Sequence, residues 1–593
     1  MDAQQDLGLR KRSTSSASSA SAENAENVAS TSEPKVAATP LSAASTSSSQ
    51  SSDGEIKWGF AFVVLILLRR FSANSNIIHD CDEVFNYWEP LHYLLYKSGF
   101  QTWEYSSEFA LRSYFYLLLH ALVAGPAAWW YGEGPGKVHV FFTTRLALGI
   151  ISAASEAALV STIGRRYGKR LAAYTLMLLC FSSGCCHSST SFLPSTFSMY
   201  TMTISVAALM SGRPYLATIA AACGVLIGWP FCVLAAVPIV LYAIQMGGFK
   251  RTIVVGILSS MLIIIVSLLA DRFFYGRWTL SIFNLVIYNV FGGGDSSLYG
   301  VESTTFYFRN GFNNFNLAFI LALLLPIIAL FAQRKNIRSL LVYVSPVYIW
   351  LGFMSMQPHK EERFLYPIYT LICLAAAATV EMIAEIAYGR RGRTEDSTFM
   401  MILKVCRPVI LGAILVASYS RSLSLLNGYS APMKVLSHLP SDPKAISAIQ
   451  KEPVLCIGSE WHRFPSSFFV PSPMYKVHWV DDGFMGLLPL PFNSSIGGTG
   501  AAPPYFNKFN KASPEQFITS EDACDFLVEL DLHREGMHLR GSNRTLWEVV
   551  VEFPFLDKEK SPPIHRAFFI PWYWQSKNKF GAYRLLRRRT IER

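Results

Sequence analysis

The sequence predicts a polytopic α-helical membrane protein with about 11–12 transmembrane segments and a small C-terminal α+β domain. Three observations carry this. Apolar runs of roughly 18 to 25 residues recur between positions 58 and 420, each long enough to cross a hydrocarbon core. Of the 593 residues, 51% are hydrophobic and only 16% are charged. The net charge of +11 sits in short Lys/Arg clusters between apolar runs, the pattern of loops on a positive-inside face. No nucleic-acid motif accompanies them.

Residues 1–53 are Ser, Ala, Thr and Glu with almost no large apolar side chains, so they cannot bury a core and read as a disordered cytosolic tail. No apolar h-region of a signal peptide occurs near the start. Residues 54–425 read as the transmembrane domain and 426–593 as the C-terminal domain. The first span runs from Trp58 to Ile78 and is interrupted by Arg69 and Arg70. Such arginines either snorkel to the interface or face a polar cavity. A loop over 79–110 follows. It opens with four acidic residues in twelve positions, His79-Asp-Cys-Asp-Glu-Val-Phe-Asn-Tyr-Trp-Glu-Pro90. Carboxylates at a membrane edge are costly and mark a candidate functional site, and the interleaved aromatics point to a packed loop.

Further spans are predicted at 111–131, 138–163, 170–187, 196–211, 214–246, 252–271, 316–333, 339–356, 364–387 and 401–420. The run 214–246 is long enough for two, broken at Gly228-Trp229-Pro230. Lys250-Arg251, Arg334 to Arg338 and Arg390 to Arg393 are expected in the cytosol. This puts 272–314, 357–363 and all residues after 421 on the opposite side. Twelve crossings would return the C-terminus to the first side, so one segment between 111 and 246 is not a complete crossing or is miscounted. Arg165 to Arg170 also falls on the wrong side of a simple count. The loop 272–314 holds Gly292-Gly-Gly294, which lacks the Lys-Ser/Thr of a phosphate loop, and its aromatic and Asn content suits sugar binding or an interface equally. The C-terminal part is Pro-rich with short strand-like runs and two sequons, at Asn493 and Asn543, which favour a luminal domain. Of ten cysteines, eight lie in or beside apolar segments. Cys456 and Cys524 fall in the polar part and can pair in an oxidising lumen. No cysteine or histidine spacing points to zinc.

A second motif, Gln357-Pro-His-Lys-Glu-Glu-Arg-Phe364, lies between two spans on the same predicted side as the acidic loop. His359, Lys360 and Arg363 read as a clamp for a phosphate, with Glu361 or Glu362 holding the cations in place. Carboxylates and cations facing one compartment suit transfer of a group from a phosphate leaving group. A carboxylate takes the proton of an acceptor hydroxyl, and cations stabilise the departing phosphate. The rival readings are a transporter with Asp82 and Glu83 as a coupling-ion site, and a non-catalytic membrane subunit. The acidic cluster lies in a loop and the halves show no clear repeat, unlike the usual transporter plan.

These motifs, with Gly99-Phe-Gln-Thr-Trp-Glu-Tyr-Ser106, Ser191-Phe-Leu-Pro-Ser195 and Arg463-Phe-Pro-Ser-Ser-Phe468, resemble glycosyltransferase family 22 from about residue 58 almost to the C-terminus. Within that family they closely resemble the endoplasmic-reticulum α-1,2-mannosyltransferases. The resemblance implies a GT-C membrane fold and inverting transfer of mannose from dolichyl-phosphate-mannose. The implied acceptor is a dolichyl-diphosphate-linked GlcNAc2 oligomannose, extended by α-1,2 linkages at two steps of N-glycan precursor assembly. It implies no metal or cofactor, no obligate protein partner, and a luminal site in the endoplasmic-reticulum membrane. The family's acidic pair matches Asp82-Glu83. Where relatives have His-Pro before it, this chain has Asp80-Cys81, so the candidate bases are Asp82, then Glu83, then Asp80. Donor-phosphate binding is expected of His359, Lys360, Arg363 and Arg70, and substrate contact of Trp88, Glu89, Tyr105 and Glu362.

Overall fold

The computed structural model describes residues 55–291, 296–332, 336–389, 398–493, 498–500, 502–535 and 539–589. The expectations for the tail 1–53, for Gly292-Gly-Gly294, Arg334-Lys335 and Arg390 to Arg393 lie outside the described residues. Every predicted span coincides with a helix. These are α1 (Trp58–Ser75), α2 (Tyr114–Tyr131), α3 (Lys137–Tyr167), α4 (Lys169–Phe181), α5 (Pro194–Met210), α6 (Pro214–Cys223), α7 (Val233–Gly247), α8 (Phe249–Tyr275), α9 (Leu317–Ala329), α10 (Ile337–Met356), α11 (Tyr369–Gly389) and α12 (Thr398–Tyr429). The break between α6 and α7 falls at Trp229, which is extended between a π turn and Pro230. Among the described residues six helices are long and apolar enough to cross a membrane on their own, and a seventh candidate, Phe306–Phe315 with α9, is bent by 114°. The others are shorter or carry polar side chains, because they lie inside the bundle. α5, for example, buries Ser195, Thr196, Ser198, Thr201, Thr203 and Ser205.

Side-chain pairs define two ends of the bundle. At the basic end Arg165 meets Glu55 at 3.4 Å, and Arg166 donates to the Met210 carbonyl. Arg170 and Arg407 flank Glu381, Tyr215 donates to Gly247, and Tyr242 pairs with Ser339. Arg165 to Arg170 therefore shares an end with the Lys250-Arg251 junction. At the other end Arg145 donates to the Asn76 carbonyl and Trp229 stacks on Phe364. Both termini of α2 lie at this second end. Its first N–H bonds Asp271 near the close of α8, and Gly132, just past its last residue, accepts from Tyr96. So α2 is the segment that does not cross. It runs for about 27 Å along the bundle edge with Leu122, Trp129 and Trp130 exposed, as an interfacial helix does. Among the described residues these twelve helices less α2 leave eleven segments running between the two ends of the bundle, an odd number, and the C-terminal domain lies at the end opposite Glu55.

The two arginines of α1 part company. Arg69 is buried and meets Glu156 of α3 at 2.8 Å while donating to Leu179 of α4, so one ion pair ties three helices. Arg70 is exposed.

The C-terminal domain is built on a five-stranded sheet of β1 (Val454–Ile457), β2 (Lys476–Trp479), β3 (Phe526–Asp531), β4 (Trp547–Leu556) and β5 (Phe580–Arg588), in the order β2-β1-β3-β5-β4. β1 is parallel to both neighbours and the remaining pairs are antiparallel. A disulfide joins Cys456 of β1 to Cys524 just before β3. Asn493 and Asn543 are exposed. The domain is docked at two places. The last turns of α12 bond residues 566–569, through Ser424 to the Arg566 carbonyl and Ser420 to Phe569. Phe100–Gln101 of the first loop pairs antiparallel with Leu490–Pro491.

Candidate active site

The acidic stretch folds as one helical run from Cys81 to Tyr96 that includes a π turn over Val84–Trp88. Asp80 starts it as the N-cap, accepting the Asp82 N–H at 2.9 Å. That cap leaves Asp80 and Asp82 facing the loop after α10. There Arg363 reaches Asp80 with Nε at 3.0 Å and Asp82 with Nη2 at 2.5 Å, and it also pairs with Glu361. Three carboxylates thus share one guanidinium. Asp82 is the most open of them, its side chain 36% exposed against 18% for Asp80. Burial pushes the Asp80 carboxyl up to about 8 against the pull of Arg363, with Glu361 and Asp82 adding to the rise. Glu361 goes the other way. Burial opposes its charge, but Arg363 and His359 outweigh it and hold it at about 2. Asp80, Cys81 and Asp82 bring one ligand atom each within 4.8 Å of one another, a spacing open to a metal ion, and Arg363 already lies against both carboxylates as a fixed positive charge.

The expected phosphate clamp is therefore largely satisfied from within. Arg363 is occupied by carboxylates. His359 bonds Glu361 at 2.9 Å and the Gly300 carbonyl at 3.0 Å. Lys360 is buried and donates to the carbonyls of Glu302 and Gln357. Residues 357–363 are pinned to the preceding loop, where the Glu302 N–H also bonds Pro358. Arg70 is exposed on α1, and among the described residues its side chain has no hydrogen bond or ion pair with this cluster.

The other acidic residues hold the scaffold. Glu83 is buried and accepts from Trp88 Nε1 at 3.0 Å and the Phe192 N–H at 2.9 Å. Burial raises its carboxyl, partly offset by Arg145 and the Phe192 N–H. Glu89 is buried and accepts from the Phe100 N–H, both hydroxyls of Ser466 and Ser467, and the Ser467 N–H, at 2.6 to 2.9 Å. Neither carboxylate is open to an acceptor. Trp88 packs wholly buried among Phe141, Phe192 and Phe468, and buried Tyr105 donates to the Asn86 carbonyl. Expected as substrate contacts, Trp88, Glu89 and Tyr105 are instead interior supports of the loop. Glu362 lies beneath the cluster. It meets His187 at 2.6 Å and accepts from Asn310 and Asn314, and these partners hold it well below the carboxylate range although burial opposes its charge. His79 packs on His187, ring centroids 4.7 Å apart. Sequence reading missed this cage. Its one local signal is the i,i+4 spacing of Asn310 and Asn314 on a single helix face.

From Asp80 and His79 a cavity of about 980 Å³ opens between the bundle and the C-terminal domain. Arg309, Arg421, Arg463, Lys558 and Arg566 are among the residues that line it.

Residues 60–471 match the model of the Alg9-like mannosyltransferase family. The chain is 53% identical to the α-1,2-mannosyltransferase ALG9 of Arabidopsis thaliana, over 90% of this chain and 92% of that protein. It is 35% identical to the Homo sapiens protein of the same name, over 90% and 89%. Its fold is that of the ArnT crystal structure from Cupriavidus metallidurans bound to undecaprenyl phosphate, with TM-score 0.50 and 12% identity over 89% of this chain and 98% of that one. The chain belongs to the Alg9-like mannosyltransferase family. It is a multi-pass membrane glycosyltransferase of the GT-C type, and a mannosyltransferase of that type implies a lipid-linked sugar donor and a lipid-linked acceptor in the membrane.

Support and open carboxylates separate by experiment. Glu89→Ala strands four donors and is expected to cost about 3 kcal/mol or more of stability. Asp82→Asn, at a half-open position with Arg363 still paired to Asp80 and Glu361, is expected to stay within about 1 kcal/mol of wild type. Thermal unfolding of the purified protein checks both, and equal losses would return Asp82 to the scaffold.

Proposed function

We propose that the protein transfers mannose, with inversion, from dolichyl-phosphate-mannose to a dolichyl-diphosphate-linked GlcNAc2 oligomannose acceptor. It forms α-1,2 linkages at two steps of N-glycan precursor assembly. Family membership and the activity named for the relatives support the chemistry. The observation that carries the mechanism is the Asp82 carboxylate, half-open at the mouth of the acidic loop and fixed by Arg363 at 2.5 Å.

In this mechanism the acceptor 2-hydroxyl lies against Asp82, which takes its proton as the oxygen attacks C1 of the mannose. The bond from C1 to the phosphate oxygen breaks on the opposite face, and its electron pair leaves on the lipid phosphate. The phosphate needs no proton to leave. One displacement and one base convert a β-linked donor into an α-linked product. Asp80, raised towards neutrality, is mostly protonated at pH 7 and leaves Arg363 to orient Asp82. No metal or cofactor is part of the proposal, and Arg363 supplies the fixed positive charge beside the carboxylates. The basic end is assigned to the cytosol by its Lys/Arg clusters, and the acidic loop, the disulfide and both sequons to the lumen of the endoplasmic reticulum.

Asp82→Asn keeps the shape but cannot accept a proton at neutral pH. Transfer from dolichyl-phosphate-mannose to a synthetic lipid-linked acceptor is expected to fall about 10³-fold, roughly 4 kcal/mol in the barrier. Activity near wild type would remove Asp82 as the base. Asp80 gives a pH signature. Its folded pKa lies above the ordinary value, so it is neutral below about pH 8 and ionises above it. The wild-type rate is expected to show a step near pH 8 that Asp80→Asn, permanently neutral, lacks, while the two agree within about threefold at pH 6.5. A thousandfold loss in Asp80→Asn at pH 6.5 would make Asp80 the base instead. For the orientation, sealed microsomes are expected to protect residues 431–593 from added protease until detergent is supplied. Asn543→Gln is expected to remove an endoglycosidase-sensitive band shift. Digestion in intact microsomes would reverse the assignment.

A further inference from the structure

The reaction above needs cations next to the departing phosphate, yet those of the 359–363 loop are spent on carboxylates and carbonyls. Further cations line the cavity that opens from Asp80. Arg309 lies on the helix Phe306–Phe315, Arg421 near the end of α12, Arg463 in the segment after β1, and Lys558 and Arg566 in the segment after β4. Against them the cavity wall holds Asp80, already bound to Arg363, and Glu559, already bound to Arg534 at 2.7 Å. Arg463 has Glu460 at 2.7 Å. Among the described residues Arg309, Arg421, Lys558 and Arg566 have no carboxylate within ion-pair distance. His79 and His462 add polarity without charge, since burial holds them down to about 3 and about 4.

The arrangement carries a cost that a ligand would relieve. Arg421 feels the pull of Glu362 and the repulsion of Arg566, and the charges of Arg421, Arg566 and Arg463 act together on the phenol of Tyr429, with Asp557 opposing them. Arg566 donates to the Lys558 carbonyl and Arg421 to the Ala567 carbonyl at 3.3 Å, but the Nε of Arg421 is buried with no partner among the described residues. A buried guanidinium N–H without an acceptor is expensive, and Glu362, whose charge also acts on Arg421, is already held by His187, Asn310 and Asn314, so an added anion would find the cations in excess. The walls suit a lipid-borne one. Ile77, Ile78, Leu425 and Phe568 line the interior, while Phe312 and Ile564 are 40% and 70% exposed.

We propose that this cavity binds the phosphate of the lipid-linked sugar donor, with Arg421 and Arg566 as its principal partners and Arg309 and Lys558 on the rim. The C-terminal domain is thereby part of the donor site. This rests on the mannosyl-transfer reading and deepens it. Geometry favours the donor over the acceptor's diphosphate. The leaving phosphate is bonded to the carbon under attack, so it must lie within a sugar's width of the base. The diphosphate of an oligosaccharide acceptor is separated from the attacking hydroxyl by the glycan chain. A cavity that reaches Asp80 at its floor fits the first requirement.

The test is direct binding to the full-length protein in detergent, with a short-chain polyprenyl monophosphate and the diphosphate of equal chain length as probes. Arg421→Gln and Arg566→Gln are each expected to weaken the monophosphate about tenfold or more, the loss typical of one charge-assisted hydrogen bond. Donor KM is expected to rise by a similar factor with acceptor KM unchanged. Exposed Lys558 gives variants that do not endanger folding: Lys558→Glu should weaken monophosphate binding and Lys558→Arg restore it. Arg70→Gln, on the outer face of α1, should change nothing. A loss confined to the diphosphate and to acceptor KM would overturn the proposal, as would unchanged binding in Arg421→Gln and Arg566→Gln. Binding does not require mannosyl transfer. Loss of monophosphate binding in the variants, with no transfer by wild type, would uphold the phosphate site and remove the functional reading. Transfer by wild type with normal binding in the variants would do the reverse.

Discussion

Arg363 lies where three carboxylates converge, and the rest of the site follows from how their charge is shared. With all three ionised the cluster would carry two uncompensated negative charges in a largely buried place, a condition proteins avoid by letting one group keep its proton. The environments of Asp80 and Glu361 are pushed apart accordingly. The more enclosed Asp80 rises to about 8, and Glu361, gripped also by His359, falls to about 2. In the proposed mechanism two carboxyls with opposed shifts around a third that stays open divide the tasks of proton storage, anchoring and proton acceptance among residues that look alike in the sequence.

That cluster needs a rigid floor, and buried polar groups supply it. Glu362 is fixed by His187, Asn310 and Asn314, and Glu83 bonds the Phe192 N–H. In low dielectric each of these bonds is strong when made and costly when broken, so the Asp80–Glu83 turn has little freedom to move. The same reasoning applies at the bundle's centre, where Arg69 and Glu156 compensate each other between α1 and α3.

Much of the fold was legible in the sequence because apolarity over a span is a local property. All the predicted segments became helices, and the break at Gly228-Trp229-Pro230 follows from proline chemistry. The failure of α2 to cross was not legible. An interfacial helix of 18 residues with two tryptophans has the composition of a short span, and only its partners Asp271 and Tyr96 reveal that both ends lie together. At the site, the sequence brought the right two stretches together but could not rank the carboxylates within them. Asp82 and Glu83 are adjacent in the chain, yet one is open and the other buried, a difference set by Phe192, 109 residues away. Arg363 and Asp82 are 281 residues apart. The cavity's cations come from separate segments, each with an unremarkable local pattern.

The acidic loop is held as much by the C-terminal domain as by the membrane bundle. Glu89 binds Ser466 and Ser467, and Phe100–Gln101 forms a ribbon with Leu490–Pro491. Phe85, two residues beyond Glu83, packs against Trp461, Phe464 and Trp479. A loop at the water–lipid boundary has no close-packed medium of its own, since water exerts no shape constraint and lipid cannot satisfy its backbone. The sheet domain supplies that medium on the open side. The proposed base therefore keeps its place because it is clamped between two folded bodies, and separating them would release the Asp80–Glu89 helix along with the cavity above it.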